Sequence, residues 1–364
     1  MSALNTLITR GAVPGDGPDA AAAWHYGELL REQRRLEDGR AVVDLPHLEI
    51  IEVSGPDRLT WLTTITSQDL SALADGDSAE LTVLSPQGRV EHWAQVIGTP
   101  DSVLMILDTG ARAGLRDYLE LMTFANRIEL TDRDDLRALG ATCSLRGFID
   151  GAEPVAEFEE SWPEVAPGGV AYSTGPDLVE PWFIGLFEES ALRTAVAEGR
   201  LKAEQMAGLA AAEAIRVLNH RPRFARDVDD RSIPHELDLL RTAVHTAKGC
   251  YRGQETVAKV LNLGQPPRRL VLLHFDGSQD LLVPVGAEVK FGKKSVGTVT
   301  TSVVHADAGP VGLAMVRRAV PLDQPLTVQF TVGEDEVAVD AAQEPIVRKR
   351  EHAARPTTSS LTRR

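Results

Sequence analysis

The sequence predicts an α+β protein that ends in a small antiparallel β-barrel, and three observations carry that expectation. Segments rich in β-branched residues alternate with segments of helical period, but several strands follow one another as hairpins, which suits an α+β sandwich better than a doubly wound parallel sheet. The texture changes near Arg268, after which short strands are separated by Gly, Pro and Asp over about 80 residues, the spacing of a small antiparallel barrel. At 364 residues the chain is longer than a typical single domain, so two or three are expected.

Taken in order, residues 1–25 read as an irregular segment rich in Gly, Pro and Ala. AVVDLPHLEIIEVSG (41–55) has the β-branched density of strands, and Ser54-Gly55-Pro56-Asp57 then opens a helix with Leu59, Leu62 and Ile65 on one side. ELTVLSPQGRVEHWAQVIG (80–98) reads as two strands around a Pro-Gln-Gly turn, and SVLMILD (102–108) as another strand. ARAGLRDYLELMTF (111–124) is a helix with Leu115, Tyr118, Leu119 and Met122 on one face, followed by strands in NRIELTD and LRALGATC. Helices are expected over roughly 188–199 and the Ala-rich 203–218. QETVAKVLNLG (254–264) reads as a short helix ended by Gly264. The expected units are therefore 26–145, 146–264 and a barrel over 265–346. A polar basic tail, 347–364, lacks periodicity and reads as disordered.

Composition narrows the function classes. The chain is 43% hydrophobic and 25% charged, as in an ordinary globular protein, and a net charge of −15 disfavours non-specific nucleic-acid binding. Cys143 and Cys250 are its only cysteines, far from a disulfide framework. No apolar run approaches the roughly 18 residues of a membrane span, and the first residues lack the basic-then-apolar pattern of a secretory signal. A cytoplasmic protein is expected, without membrane contact and as a monomer.

Several chemistries lack their motifs. GKKS at 292–295 has no upstream glycine for a phosphate loop, and GDGPDA near residue 15 follows no strand, so neither nucleotide fingerprint holds. There is no HExxH, no paired CxxC and no GxSxG, and two cysteines cannot supply the four thiolates of a cluster, so no metal site is expected.

The stretch KGCYRGQE (248–255) is the most distinctive in the chain. Lys248 and Arg252 flank Cys250 closely enough to tune an exposed thiol, and Gly249 and Gly253 permit a sharp bend and close approach. From the residues alone, Cys250 is either a packed thiol in a tight turn or a reactive one. Cys143, inside the apolar strand LRALGATC, reads as structural.

KGCYRGQE, with Lys248, Gly249, Cys250, Tyr251, Gly253, Gln254 and Glu255 in their places, resembles the signature of YgfZ-type folate-binding proteins, relatives of the T-protein (aminomethyltransferase) of the glycine cleavage system. VSGPDRLTWLTTITSQDL (53–70), SPQGRV (85–90) and GTVTTSVVHADAGPVGLAMV (297–316) are similar to further segments of that superfamily, so the resemblance covers about 25–345. It implies a three-domain ring around a central channel that binds tetrahydrofolate or a one-carbon-substituted form. It also implies an accessory role in the assembly or maintenance of iron–sulfur proteins, with assembly factors as partners and an indirect link to enzymes that modify transfer RNA.

One departure is informative. Where the T-protein carries adjacent aspartates, this chain has Glu91-His92-Trp93, which argues against aminomethyl transfer to folate, the alternative reading. In a regular strand His92 would share a face with Val90, Ala94 and Val96 and point inward, where it could act as a base. A pterin calls for a carboxylate that accepts paired N–H groups, and the folate glutamate calls for arginine. Glu236, in SIPHELDLL, is the expected pterin acceptor. Arg216, Arg268 and Arg269 are expected tail-binding residues, and Tyr251 is expected to line the channel.

Overall fold

A computed structural model describes residues 11–348, apart from 173, 174, 178 and 280. The described chain begins with two short paired strands, β1 (Val13–Pro14) and β2 (Ala23–His25), and helix α1 (Leu29–Glu37). The segment expected to be irregular is thus partly ordered from residue 11, and its Asp19 is fully buried. After β3 (Val42–Asp44) come β4 (Glu49–Ser54), α2 (Arg58–Ile65), β5 (Ser78–Leu84), β6 (Val90–Gly98), β7 (Ser102–Leu107), α3 (Arg112–Leu121) and β8 (Glu129–Asp132). Strands β4 to β8 form an antiparallel sheet in the order β5-β6-β7-β4-β8.

Both faces of this sheet are covered, which is why β7, SVLMIL, reads as a nearly continuous apolar run. Ile51 and Val53 pack with Trp61, Leu62 and Leu115 of α2 and α3, whereas Ile50 packs on the opposite face. The two helices are also tied to each other by hydrogen bonds at their C-terminal ends. Trp61 Nε1 donates to the Met122 carbonyl at 2.8 Å, and the Tyr118 hydroxyl to the Ile65 carbonyl at 2.7 Å.

A second sheet contains β9 (Leu136–Ala141), β10 (Ala156–Glu159), β11 (Phe183–Glu188) and β12 (Met206–Ala207), in the order β10-β11-β9-β3-β12. Only β12 runs parallel to its neighbour, β3. Helix α4 (Glu189–Ala197) covers its outer face, where Leu192 and Ala195 meet Leu139 and Phe187. The expected boundary at 145/146 is therefore corrected, because this sheet takes β3 and β9 from residues assigned to the first unit. Facing side chains such as Ile106 of the first sheet and Ile184 of the second bury together, giving a two-sheet sandwich.

Helix α5 (Leu209–Leu218) is buried everywhere except at Arg216 and Leu218. It serves the sandwich with Leu209, Ala212 and Ile215, and a second core with Ala214 and Val217. Its alanines have little volume, so sheets and barrel can approach it from different sides. The short α6 (Phe224–Asp227) and α7 (Gln254–Leu263) follow, α7 ending at Gly264 as expected.

The barrel is closed by six strands: β13 (Arg268–Phe275), β14 (Glu288–Phe291), β15 (Lys294–His305), β16 (Gly309–Arg317), β17 (Leu326–Val332) and β18 (Asp335–Pro345). Closure leaves the sheet without an open edge. Of the expected tail, residues 349–364 lie outside the described residues, and Val347 is instead 1% exposed in the core.

Candidate functional site

A cavity lies between the sandwich sheets and the end of α5, with an empty volume of about 820 Å³ including the solvent at its open mouth. Trp93 and Asp108 come to it from the first sheet, Glu160 and Trp182 from the second, and Arg216 and Arg221 from the α5 region. The barrel contributes no lining residue but is keyed to the cavity indirectly. A bulge between Val299 and Thr301 in β15 breaks the alternation there, and Asp227 Oδ1 accepts from the Thr301 hydroxyl at 3.0 Å. Re-aiming a side chain in this way is a recurrent use of bulges.

Arg216 joins these parts through all five of its N–H donors. Nε bonds Glu213 at 2.9 Å, Nη1 bonds Asp227 and the Arg221 carbonyl at 2.7 Å each, and Nη2 bonds Glu213 at 2.7 Å and the Thr301 hydroxyl at 2.9 Å. Arg223 adds bonds to Asp108 at 2.9 Å, Glu213 at 3.1 Å and the buried Asp19. Burial alone would raise the Glu213 carboxyl, but Arg216 and Arg223 overcome it and hold the group well below the usual carboxylate range. Arg216 thus lines the cavity, as a fixed strut with no donor to spare for a ligand tail.

The opposite polar wall is less complete. Arg221 is 4% exposed, donates through Nε to Glu160 at 2.6 Å and through Nη2 to Glu80, and lies over the Trp93 and Trp162 rings at 4.9 and 5.0 Å. Burial pushes the Glu160 carboxyl up, and Arg221 offsets this only in part. Three residues of the cavity wall carry a buried polar atom with no hydrogen-bond partner: His47 Nδ1, Trp93 Nε1 and Arg221 Nη1. Such atoms are uncommon in folded proteins. Burial holds His47 below the ordinary histidine value, so its ring is neutral at pH 7.

The other expected site residues fall elsewhere. Glu236 is 1% exposed and is bonded by Arg268 at 3.0 and 2.8 Å and by the Ile233 amide at 3.2 Å. Arg268 also grips Asp229 at 2.6 and 2.9 Å. The expected pterin acceptor and one expected tail-binder are thus bound to each other, away from the cavity wall. Arg269 is buried in the barrel, where it donates to the Arg318 and Val320 carbonyls at 3.1 and 2.8 Å.

The inward placement of His92 is corrected by a bulge in β6. Leu84 pairs with Val90 but Val83 pairs with His92, so one extra residue of β6 is inserted there. Val90 and Trp93 consequently reach the same core, while Ala94 and Val96 face α2 and α3. His92 goes with the latter pair, its ring 6.3 Å from Tyr118 and against Gly114.

Cys250 is exposed at the start of the turn into α7. Lys248 does not spend its ammonium on the thiol. Nζ donates to the carbonyls of Thr63, Thr66 at 2.6 Å and Gln68 at 3.1 Å, around the C-terminal end of α2, where a cation also meets the helix dipole. Burial pulls this ammonium down to about 8, against Asp69. Arg252 pairs with Glu91 at 2.6 Å, and Gln254 Nε2 bonds the Lys248 carbonyl at 3.4 Å. Glu255 is exposed in the first turn of α7, where its charge suits the helix dipole.

Two glycines explain the bend. Gly253 has φ +84°, and a Cβ there would stand 2.6 Å from the Ser85 carbonyl oxygen; Gly88, at φ +75°, would strike Thr256 at 2.8 Å. The SPQG turn and the start of α7 therefore dock backbone to backbone, which only glycine allows. Gly249 has open space around its Cβ position. Tyr251 is 9% exposed, stacks under Lys248 Nζ at 5.3 Å, and joins the core containing Val90 and Trp93; burial pushes its phenol up to about 12. It thus packs behind the cavity wall rather than lining it.

Asp19, His47, Asp108, Glu160, Arg221 and Arg223 are not legible as site residues in the sequence. The one local signal is the arginine-rich run NHRPRFARD, which is polar yet sits between apolar segments.

Comparison with known proteins agrees with this geometry. The structure superimposes on the glycine cleavage system aminomethyltransferase T of Bartonella henselae with a TM-score of 0.69, at 17% identity, over 93% of this chain and 95% of that one. The protein has the T-protein fold. Residues 268–349 match the CAF17 C-terminal β-barrel domain. Among curated proteins, a putative chloroplastic transferase of Arabidopsis thaliana is 23% identical over 82% of this chain and 70% of its own length. An aminomethyltransferase of Thermotoga maritima is 22% identical over 85% and 87%. Among the described residues, no helix is long and apolar enough to cross a membrane, and no group of three or more His, Cys, Asp or Glu side chains could hold a metal ion.

Proposed function

We propose that this protein binds a reduced folate in the cavity between its sheets and serves as an accessory factor for iron–sulfur proteins, with Cys250 as its exposed functional thiol. The observation that carries the folate reading is the cavity wall itself. Trp93, Trp182 and Phe224 line it with aromatic rings, and Glu160 brings to it a carboxylate that suits paired N–H groups. The T-protein resemblance, which implies tetrahydrofolate as ligand, supports the same reading. The iron–sulfur role rests on the KGCYRGQE resemblance, and the exposure of Cys250 at a glycine-defined turn is consistent with it.

Aminomethyl transfer is the second reading, favoured by those same relatives. Against it, His92 packs beneath α3 and Glu91 pairs with Arg252, so of the residues where the T-protein has aspartates only Trp93 reaches the cavity, and it carries no carboxylate.

The test is complementation. Cells lacking the gene are given wild type, Cys250→Ser or Glu160→Gln, and an iron–sulfur enzyme is assayed in their extracts. Restoration by wild type alone supports the whole reading. Restoration by Cys250→Ser would remove the thiol from the function, and restoration by Glu160→Gln would remove the cavity. Turnover of an aminomethyl donor with tetrahydrofolate by the purified protein would favour the second reading.

A further inference from the structure

The chain carries a net charge of −15, yet one end of the barrel is basic. Strands β14 and β15 are joined there by Gly292-Lys293, with Gly292 at φ +59°, and Phe291 pairs with Lys294 across the turn. Register brings two further cations to the same end. β15 runs back beside β16 with Gly297 opposite Val316, so Arg317 and Arg318, which follow, flank the tip. Lys293, Lys294, Arg317 and Arg318 are all exposed, and none has a side-chain ion pair or hydrogen bond among the described residues. By contrast, Arg216, Arg223 and Arg268 are each held by carboxylates. Of the acids in the neighbouring strands, Glu288 is taken by Lys290 at 3.2 Å and Asp340 accepts from Thr327 at 3.3 Å. Asp323 offsets one charge from the loop before β17. The end of the described chain also lies close by. The Ile346 amide donates to the Leu270 carbonyl at 3.3 Å, and β13 begins at Arg268, opposite Arg317. Residues 349–364 then add five Lys or Arg against one Glu.

Unpartnered surface cations attract a polyanion, and Phe291 decides which. Its ring is 37% exposed at the tip, among the lysines. A strand of unpaired nucleotides presents phosphates together with bare base faces, one partner for the cations and one for the ring. A duplex hides its base faces in the stack. The large apolar side chains exposed at this end are Phe291 and Leu322, the latter 43% exposed, which is little for a bilayer to bury. We propose that this end of the barrel binds single-stranded nucleic acid, with Lys293, Lys294, Arg317 and Arg318 on phosphates and Phe291 stacked on a base. The surface shares no residue with the cavity between the sheets, so the inference stands apart from the folate reading.

The experiment measures fluorescence anisotropy of labelled oligouridylate and oligodeoxythymidylate, each of about 12 nucleotides, with the full chain across a salt series. Log affinity is expected to fall with log salt with a slope of about −2 to −3, at roughly 0.7 per phosphate neutralised. The double variant Lys293→Gln, Lys294→Gln is expected to lose about half of that slope. Phe291→Leu keeps an apolar side chain but removes the flat ring, and should weaken binding about fivefold or more at every salt concentration with the slope unchanged. All of these positions are exposed, so thermal midpoints should stay near wild type. Tighter binding of uridylate than of thymidylate would support the proposal and name RNA as the source; equal binding would support it with the backbone and ring as the readers. Binding of neither strand at low salt would overturn it, as would a slope unchanged in the double variant. Full binding by Phe291→Leu would overturn the stacking. Tighter binding of a duplex of the same length, of phosphatidylserine vesicles or of polyglutamate would overturn the choice of partner.

Discussion

Gly253→Ala and Gly249→Ala add the same atom to the same motif, and the structure separates their effects. At Gly253 the backbone has φ +84°, where an alanine costs about 1–2 kcal/mol relative to glycine. The new Cβ would also stand 2.6 Å from the Ser85 carbonyl oxygen, 3.0 Å from Leu84 Cβ and 3.1 Å from Gly88 Cα. Two of those three atoms are backbone, so relief requires the 85–88 turn to move off α7, and such overpacking costs a further 1–3 kcal/mol or so. Reduced freedom of the unfolded chain returns roughly 0.4–1 kcal/mol. The net loss is about 2–4 kcal/mol, a fall in thermal midpoint of roughly 4–12 °C for a domain of this size. At Gly249 a new Cβ would have no atom within 4 Å and φ is outside the left-handed region, so the same change should stay within about 0.5 kcal/mol of wild type. Urea melts and scanning calorimetry of both variants decide the matter. Equal losses at the two positions, or a Gly253→Ala protein as stable as wild type, would refute the docking of the two turns.

Arg268→Met should destabilise by about 3 kcal/mol, since it strands the buried Glu236 carboxylate, and Glu236→Gln added to it should recover part of the loss; urea midpoints check both. His235 is buried and held down to about 4 by loss of solvation, against an unfolded value of 6.5. Between those values the unfolded chain takes up a proton that the folded one refuses, so stability falls as pH drops from 6.5 toward 4, by roughly 1.4 kcal/mol per unit from this group. His235→Gln should flatten that slope in a pH series of urea melts; an unchanged slope would assign it to other histidines. An aromatic disulfide reagent should modify Cys250 rapidly and Cys143 slowly, because Cys143 is half-buried, bonded to the Gly39 carbonyl and pushed up by burial. Loss of the rapid phase in Cys143→Ser rather than Cys250→Ser would reverse the assignment.

The parts of the fold legible in the sequence are those set by local chemistry. The barrel hairpins, the helix after Pro56 and the end of α7 at Gly264 each follow from turn residues and periodicity within a few positions. The second sheet is not legible, because β3 pairs with β9 nearly a whole unit away, and a run of Val and Leu carries no address for its partner. His92 shows how a regular pattern misleads: a single bulge in β6 separates it from Val90, and nothing in the local sequence announces the insertion. Likewise Asp19 and Arg223 meet across more than 200 residues, and their types alone look like solvated charges. KGCYRGQE marks the right turn, yet its cations serve Thr66, Gln68 and Glu91 rather than the thiol. Glu236 is unusual, as its place in SIPHELDLL suggests, but its burial against Arg268 makes it a structural ion pair.

Folate binding between the sheets is tested most directly by anaerobic calorimetric titration of tetrahydrofolate into wild type, Glu160→Gln and Glu236→Gln. Expected is saturable binding to wild type, weakened about tenfold or more in Glu160→Gln, where a charged hydrogen-bond acceptor is lost, and unchanged in Glu236→Gln. Absence of binding, or loss in Glu236→Gln with Glu160→Gln unaffected, would contradict the placement of the ligand in this cavity.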